Sequence, residues 1–120
     1  MSRHVIDRAE EIPPGTRRVV DLDGRSIGVF NVEGTFYALR NRCPHHGAPL
    51  CEGPVSGTML PSDPDEYRFS TAREHQIIRC PWHGYEFRLD DGRGLVKPET
   101  SRVKAYRVEV EAGDVVVYTR

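Results

Sequence analysis

Only three of the 120 residues are cysteine, an odd number and too few for a disulfide framework. No apolar run approaches the roughly 18 residues that a membrane-crossing helix needs, and no signal-type segment opens the chain. These absences predict a reducing, cytoplasmic setting with no membrane partner. An excess of charge of either sign is also missing: 17 Lys and Arg are interleaved with 18 Asp and Glu, for a net charge of −1. A nucleic-acid binder needs a basic surplus gathered on one face, so nucleic acid is excluded. The length allows one domain over residues 1–120 and leaves no room for a second, catalytic one. Nor is there a His-x-x-x-His pair with a carboxylate to hold a catalytic mononuclear iron. The chain is therefore not expected to be an enzyme by itself.

A sustained helical period is missing too. Short β-branched and aromatic runs alternate with turn signals, which predicts an all-β fold. Arg18–Leu22 and Ser26–Val32 flank Asp23-Gly24, a dipeptide suited to a tight hairpin, and Glu33-Gly34 makes the next turn. Thr35–Leu39 then runs straight into a cysteine-containing loop, and Gln76–Arg79 does the same for a second such loop, which Tyr85–Leu89 leaves as a strand. Tyr106–Val110 alternates apolar and polar residues, turns at Ala112-Gly113 and returns as Asp114–Tyr118. The face carrying Tyr106, Val108 and Val110 is expected to pack into the core.

The two loops carry the chemistry. Cys43-Pro44-His45-His46-Gly47 and Cys80-Pro81-Trp82-His83-Gly84 each set one thiol and one imidazole beside a Pro and a Gly. One residue separates Cys43 from His45, two separate Cys80 from His83, and thirty-four lie between His45 and Cys80. In a mixed-ligand [2Fe–2S] centre two thiolates hold one iron and two imidazoles the other, so each loop must reach both metals, which a Cys–His pair at short spacing can do. Pro stiffens such a loop and removes an amide, and Gly admits positive φ and a close approach. The competing chemistry is structural zinc, also tetrahedral with two Cys and two His. Zinc loops usually pair Cys with Cys and His with His, and the mixed pairs here fit that pattern poorly.

Over nearly its whole length the chain resembles a bacterial Rieske-type ferredoxin of the kind that feeds aromatic-ring oxygenases. The resemblance is carried by Cys-Pro-His-His-Gly-Ala-Pro-Leu at 43–50, Glu52-Gly53-Pro54-Val55-Ser56-Gly57, Cys-Pro-Trp-His-Gly-Tyr-Glu-Phe at 80–87, and Pro98 followed by Tyr106–Glu109. It implies a small antiparallel β-barrel or sandwich base with a cluster-binding subdomain at about 41–89. It implies one Rieske [2Fe–2S] cluster per chain, held by Cys43, His45, Cys80 and His83. The implied role is that of a monomeric, soluble one-electron carrier between a flavin-dependent reductase and a terminal oxygenase. The alternative is a small Rieske subunit of a larger oxidoreductase, such as a nitrite-reductase-type complex. High-potential members place a Ser directly after the second His-Gly and a Tyr two residues later. Tyr85 and Phe87 stand there instead, which predicts a midpoint of roughly −150 mV, the bottom of the Rieske range.

Other residues bear on the same site. Cys51 is expected to be a small buried residue and not a ligand, and the loop positions of the disulfide found in high-potential members hold Ala48 and Trp82. The Cys-x-His spacing favours His45 over His46. Trp82, Pro81, Leu50 and Pro98 are candidates for shielding the cluster, with plain packing as the equal alternative, and His4 and His75 are expected at the surface. Residues 58–75 exceed the family's usual spacer and are read as a loop insertion with at best one short strand. It is expected to be a solvated insertion with no task, since loops tolerate such growth at low cost; the alternative is that it borders the cluster and shapes partner docking.

Overall fold

The computed structural model describes residues 2–44, 47–60, 68–70, 76–82, 84–96 and 101–119, without the side chains of 58–60 and 68–70. Six antiparallel strands form the base: β1 (Ser2–Arg8), β2 (Arg17–Leu22), β3 (Arg25–Val32), β4 (Thr35–Arg40), β10 (Ala105–Glu111) and β11 (Asp114–Thr119), in the spatial order β1-β11-β10-β4-β3-β2. The loops Asp23-Gly24, Glu33-Gly34 and Ala112-Gly113 put both of their residues at positive φ, the turn geometry whose twist matches that of the strands it joins. Side chains bridge the two edges of the sheet. Arg18 on β2 pairs with Asp7 on β1, and His4 on β1 stands 3.2 Å from Asp23 in the β2–β3 turn. The result is a nearly closed barrel.

β1 has no counterpart in the sequence reading. Its residues are mostly polar, and it becomes a strand by pairing with β11 over the other end of the chain. The register slips between Val5 and Asp7, a bulge that leaves Ile6 packed against the barrel interior. That interior is Ile12, Ile27, Val29, Ala38, Val115 and Val117, with Tyr106 and Val108 against it. Val110 departs from the expected alternation: near the hairpin end it is 51% exposed. His4 departs as well, being partly buried and hydrogen-bonded to Asp23 and Thr119.

Between the neighbouring strands β4 and β10 the chain makes one long excursion. It contains a sheet of β5 (Val55–Ser56), β8 (Ile77–Arg79) and β9 (Glu86–Arg88), and a two-stranded ribbon of β6 (Thr58–Leu60) and β7 (Arg68–Ser70). The ribbon corrects the reading of 58–75 as a loop with one strand at most: Thr58, Met59 and Leu60 face Ser70, Phe69 and Arg68 in antiparallel register. Two three-residue runs are too short to show a period in sequence, and only their pairing makes them strands. Residues 61–67 and 71–75 of that segment lie outside the described residues.

The second core glues the excursion to the outside of the barrel. Phe30, Tyr37 and Leu39 from β3 and β4 meet Cys43, Ala48, Leu50, Cys51, Ile78, Cys80, Phe87, Leu89 and Val103. β3 and β4 are thus buried on both faces, one toward each core. At ~25 cal/mol per Å2 of apolar surface, a fully buried side chain such as Phe87 stabilises this junction by about 2–3 kcal/mol.

Candidate metal centre

The two cysteine loops are closed by the same pair of backbone hydrogen bonds. The Cys43 N–H donates to the carbonyl of Ala48 at 2.9 Å, and the Gly47 N–H donates back to the carbonyl of Cys43 at 2.8 Å. In the second loop the Cys80 N–H donates to Tyr85 at 2.7 Å and the Gly84 N–H to Cys80 at 3.0 Å. Each is a knuckle closed by a bond from the cysteine to the fifth residue on and by another from the fourth residue back. Gly47 and Gly84 close them at φ of 72° and 74°, where any residue with a Cβ is strained. The one-residue difference in Cys-to-His spacing leaves this frame unchanged, because both loops place Gly four residues after Cys.

Both loop thiols are buried, in the same core, and neither is in a disulfide. A pair of thiols on matched knuckles in one apolar core is the donor set that the cysteine-held iron of a Rieske centre needs. His45 and His83, with His46, His75 and Pro98, lie outside the described residues. Among the described residues, accordingly, no group of three metal-ligating side chains is assembled. The structure places Cys43 and Cys80 in one core, and the assignment of His45 and His83 rests on the sequence alone.

Cys51, the third thiol, is set apart by its surroundings. It is fully buried, and its Sγ lies 3.5 Å from the carbonyl of Leu39. Burial pushes its pKa up to about 12. It also fills the place of a side chain at Gly28, where an added Cβ would stand 2.5 Å from the Cys51 Cβ and Sγ. The reading of Cys51 as a small packing residue matches this environment.

Several residues that secure the loops carried no signal in the sequence. Arg17, on β2 of the barrel, donates to the carbonyls of Cys51 and Gly53 and lies 5.1 Å over the Phe30 ring, tying the barrel to the segment after the first loop. Asn41 accepts the Cys51 N–H at 2.8 Å. Gly53 is where the two halves touch: the Arg79 N–H donates to the carbonyl of Pro54 at 3.0 Å, and a Cβ on Gly53 would come within 1.8 Å of the Arg79 oxygen. A Glu-Gly-Pro sequence hints at a turn there, but long-range approach is invisible in one dimension.

Of the four cover candidates, Leu50 is fully buried, whereas Pro81 is exposed and Trp82 is 57% exposed and turned to solvent. Trp82 therefore does not act as an inner shield. The core beneath the second loop is formed by Ile78, Phe87 and Leu89, and the indole is not part of it. At the positions that tune high-potential centres, Phe87 is fully buried and has no hydroxyl, and Tyr85 is 40% exposed.

The model of the Rieske [2Fe-2S] domain family matches residues 2–107. The ferredoxin component of the naphthalene 1,2-dioxygenase system of Pseudomonas aeruginosa is 32% identical over 107 residues, which cover 89% of this chain and 86% of that protein. Among solved structures, one from a complex of reduced oxygenase and oxidized ferredoxin in carbazole 1,9a-dioxygenase superposes with a TM-score of 0.70 at 30% identity, over 96% of this chain and 91% of that one. The ferredoxin of carbazole 1,9a-dioxygenase from Nocardioides aromaticivorans IC177 shares the fold over the full length of both chains, with a TM-score of 0.74 at 23% identity. On its twin loops, its buried thiol pair and these likenesses, the chain belongs to the Rieske [2Fe-2S] domain family.

Proposed function

We propose that this chain is the ferredoxin of an aromatic-ring oxygenase system, taking one electron at a time from a flavin-dependent reductase and passing it to a terminal oxygenase. The observation that carries the reading is the pair of equivalent knuckles with buried thiols in one core. Cys43 and Cys80 hold the inner side of the centre, and His45 and His83 complete the ligand set. The bound centre supplies one site that accepts and releases a single electron reversibly. The surrounding residues keep water from the thiols: Leu50, Ile78 and Phe87 are fully buried around them. Relatives in dioxygenase systems support the choice of an oxygenase as acceptor, among them a ferredoxin subunit of 3-phenylpropionate/cinnamic acid dioxygenase and the ferredoxin component of a naphthalene 1,2-dioxygenase system. Among the described residues no helix is long and apolar enough to cross a membrane.

Anaerobic purification with visible and EPR spectroscopy of the reduced protein tests the ligand set. A mixed-ligand [2Fe–2S] signal is expected, and colourless protein after iron and sulfide reconstitution rules the reading out. Redox titration should give a midpoint near −150 mV, about the bottom of the Rieske range, and Phe87→Tyr should raise it by adding a donor beside the centre. A clearly positive wild-type midpoint contradicts this. Migration as a monomer separates the free carrier from a subunit, which would instead copurify with a larger oxidoreductase.

A further inference from the structure

Most described arginines are already matched with a carboxylate: Arg3 with Glu111, Arg8 with Asp114, Arg18 with Asp7, Arg79 with Glu86 and Arg107 with Glu109. Three exposed cations next to the first ligand loop are not. Arg40 ends β4, Arg42 directly precedes Cys43, and Lys104 leads into β10; none has an acidic partner among the described residues. Backbone bonds hold them together, because the Arg40 N–H donates to the carbonyl of Lys104 at 2.9 Å and the Arg42 N–H to that of Arg40 at 2.9 Å. The Arg42 guanidinium lies against the loop itself: a Cβ on Gly47 would stand 3.5 Å from its Cζ. Between Glu33 and Asp63 the chain has a single acidic residue, Glu52, so the local balance is positive although the net charge is −1.

We infer that Arg40, Arg42 and Lys104 form a cationic docking edge that steers an acidic face of a protein redox partner onto the first ligand loop. This rests on the electron-carrier reading and adds the chemistry of the surface that meets the partner. Three uncompensated charges on two hydrogen-bonded segments make a local potential that the whole-protein charge does not report. Such an edge acts on encounter rate and orientation more than on final affinity, and salt weakens it over a Debye length of about 8 Å at physiological ionic strength. Among the described residues the second loop offers no equivalent, because Arg79 is neutralised by Glu86 at 3.0 Å and the loop's neighbours Trp82, Tyr85, Leu95 and Val96 are exposed and apolar or aromatic. A partner approaching this end meets charge on one side and apolar surface on the other, which fixes its orientation.

The test uses two small one-electron oxidants of opposite charge, the iron(III)–EDTA anion and hexaammineruthenium(III), with the reduced holoprotein in stopped flow. For the wild type, the rate with the anion should fall about tenfold as salt rises, and the rate with the cation should not. The variant Arg40→Gln/Arg42→Gln/Lys104→Gln should lose that fall and react about tenfold more slowly with the anion at low salt. A control variant, Arg3→Gln/Arg8→Gln/Arg107→Gln, lowers the net charge equally but removes only carboxylate-paired cations on β1 and β10, and should stay within about twofold of wild type. If the triple variant loads poorly, Arg42→Gln alone should slow the anion about threefold with the EPR signal unchanged. Equal slowing in both triple variants, or none in either, overturns the docking edge while leaving the carrier reading intact. Wild-type protein without a Rieske spectrum overturns the reading beneath it, and the edge with it.

Discussion

The two ligand loops share their closing hydrogen bonds and glycine geometry and differ in almost everything around them. The first leaves a barrel strand, passes under Arg42 and runs into a 3-10 turn at Leu50–Glu52 that Arg17 and Asn41 hold to the base. The second is the tip of a hairpin between β8 and β9, in a sheet that packs on the barrel through side chains of the shared core. The knuckle is written locally by Cys, Pro and Gly, whereas the surroundings come from tertiary contacts. One motif can therefore be used twice and given a charged flank in one place and an apolar flank in the other.

The comparison breaks most completely at the ligands. Cys43→Ser and Cys80→Ser should each abolish the EPR signal of the reduced protein, because neither loop holds the centre alone. If either variant kept full signal, the equivalence of the loops would be wrong. The next largest effect is expected at Gly53, where the halves touch. A methyl group there meets the Arg79 carbonyl at 1.8 Å, so Gly53→Ala should cost about 3 kcal/mol by urea unfolding and loosen both loops together. Loss of one loop's integrity without the other would show that Gly53 is not their common point.

Gly47→Ala and Gly84→Ala sharpen the comparison. Each forces a Cβ into left-handed backbone, at about 1–2 kcal/mol, and the two values should agree because the φ angles are 72° and 74°. A difference well beyond ~1 kcal/mol would mean that flanks, not knuckles, set loop stability. The smallest effect lies far from both loops. The Asp23 carboxyl sits below its ordinary range, first because Thr119 donates to it and second because of His4. Its folded pKa is depressed, so its contribution is present above about pH 4 and lost as pH falls through the folded value. Asp23→Asn should flatten the acid side of the thermal-stability profile and leave the visible spectrum unchanged; an unaltered acid slope would remove the group from the account.

The sequence made the site more legible than its setting. The Cys, His, Pro and Gly residues of the loops follow one another closely, and the hairpin dipeptides sit between alternating runs, so both could be read along the chain. β1 could not, since its polar residues become a strand only beside β11, a hundred residues away. The same holds for β6 and β7, for the solvent-facing Trp82, and for Arg17, whose partners are the carbonyls of residues 51 and 53. Each depends on what approaches from elsewhere, and a pattern read within one segment contains no record of that.

Burial pushes the Cys51 pKa up to about 12 and so disfavours its thiolate, the form that binds metal. The same close fit against Gly28 that seats the side chain thus works against its use as a third sulfur donor.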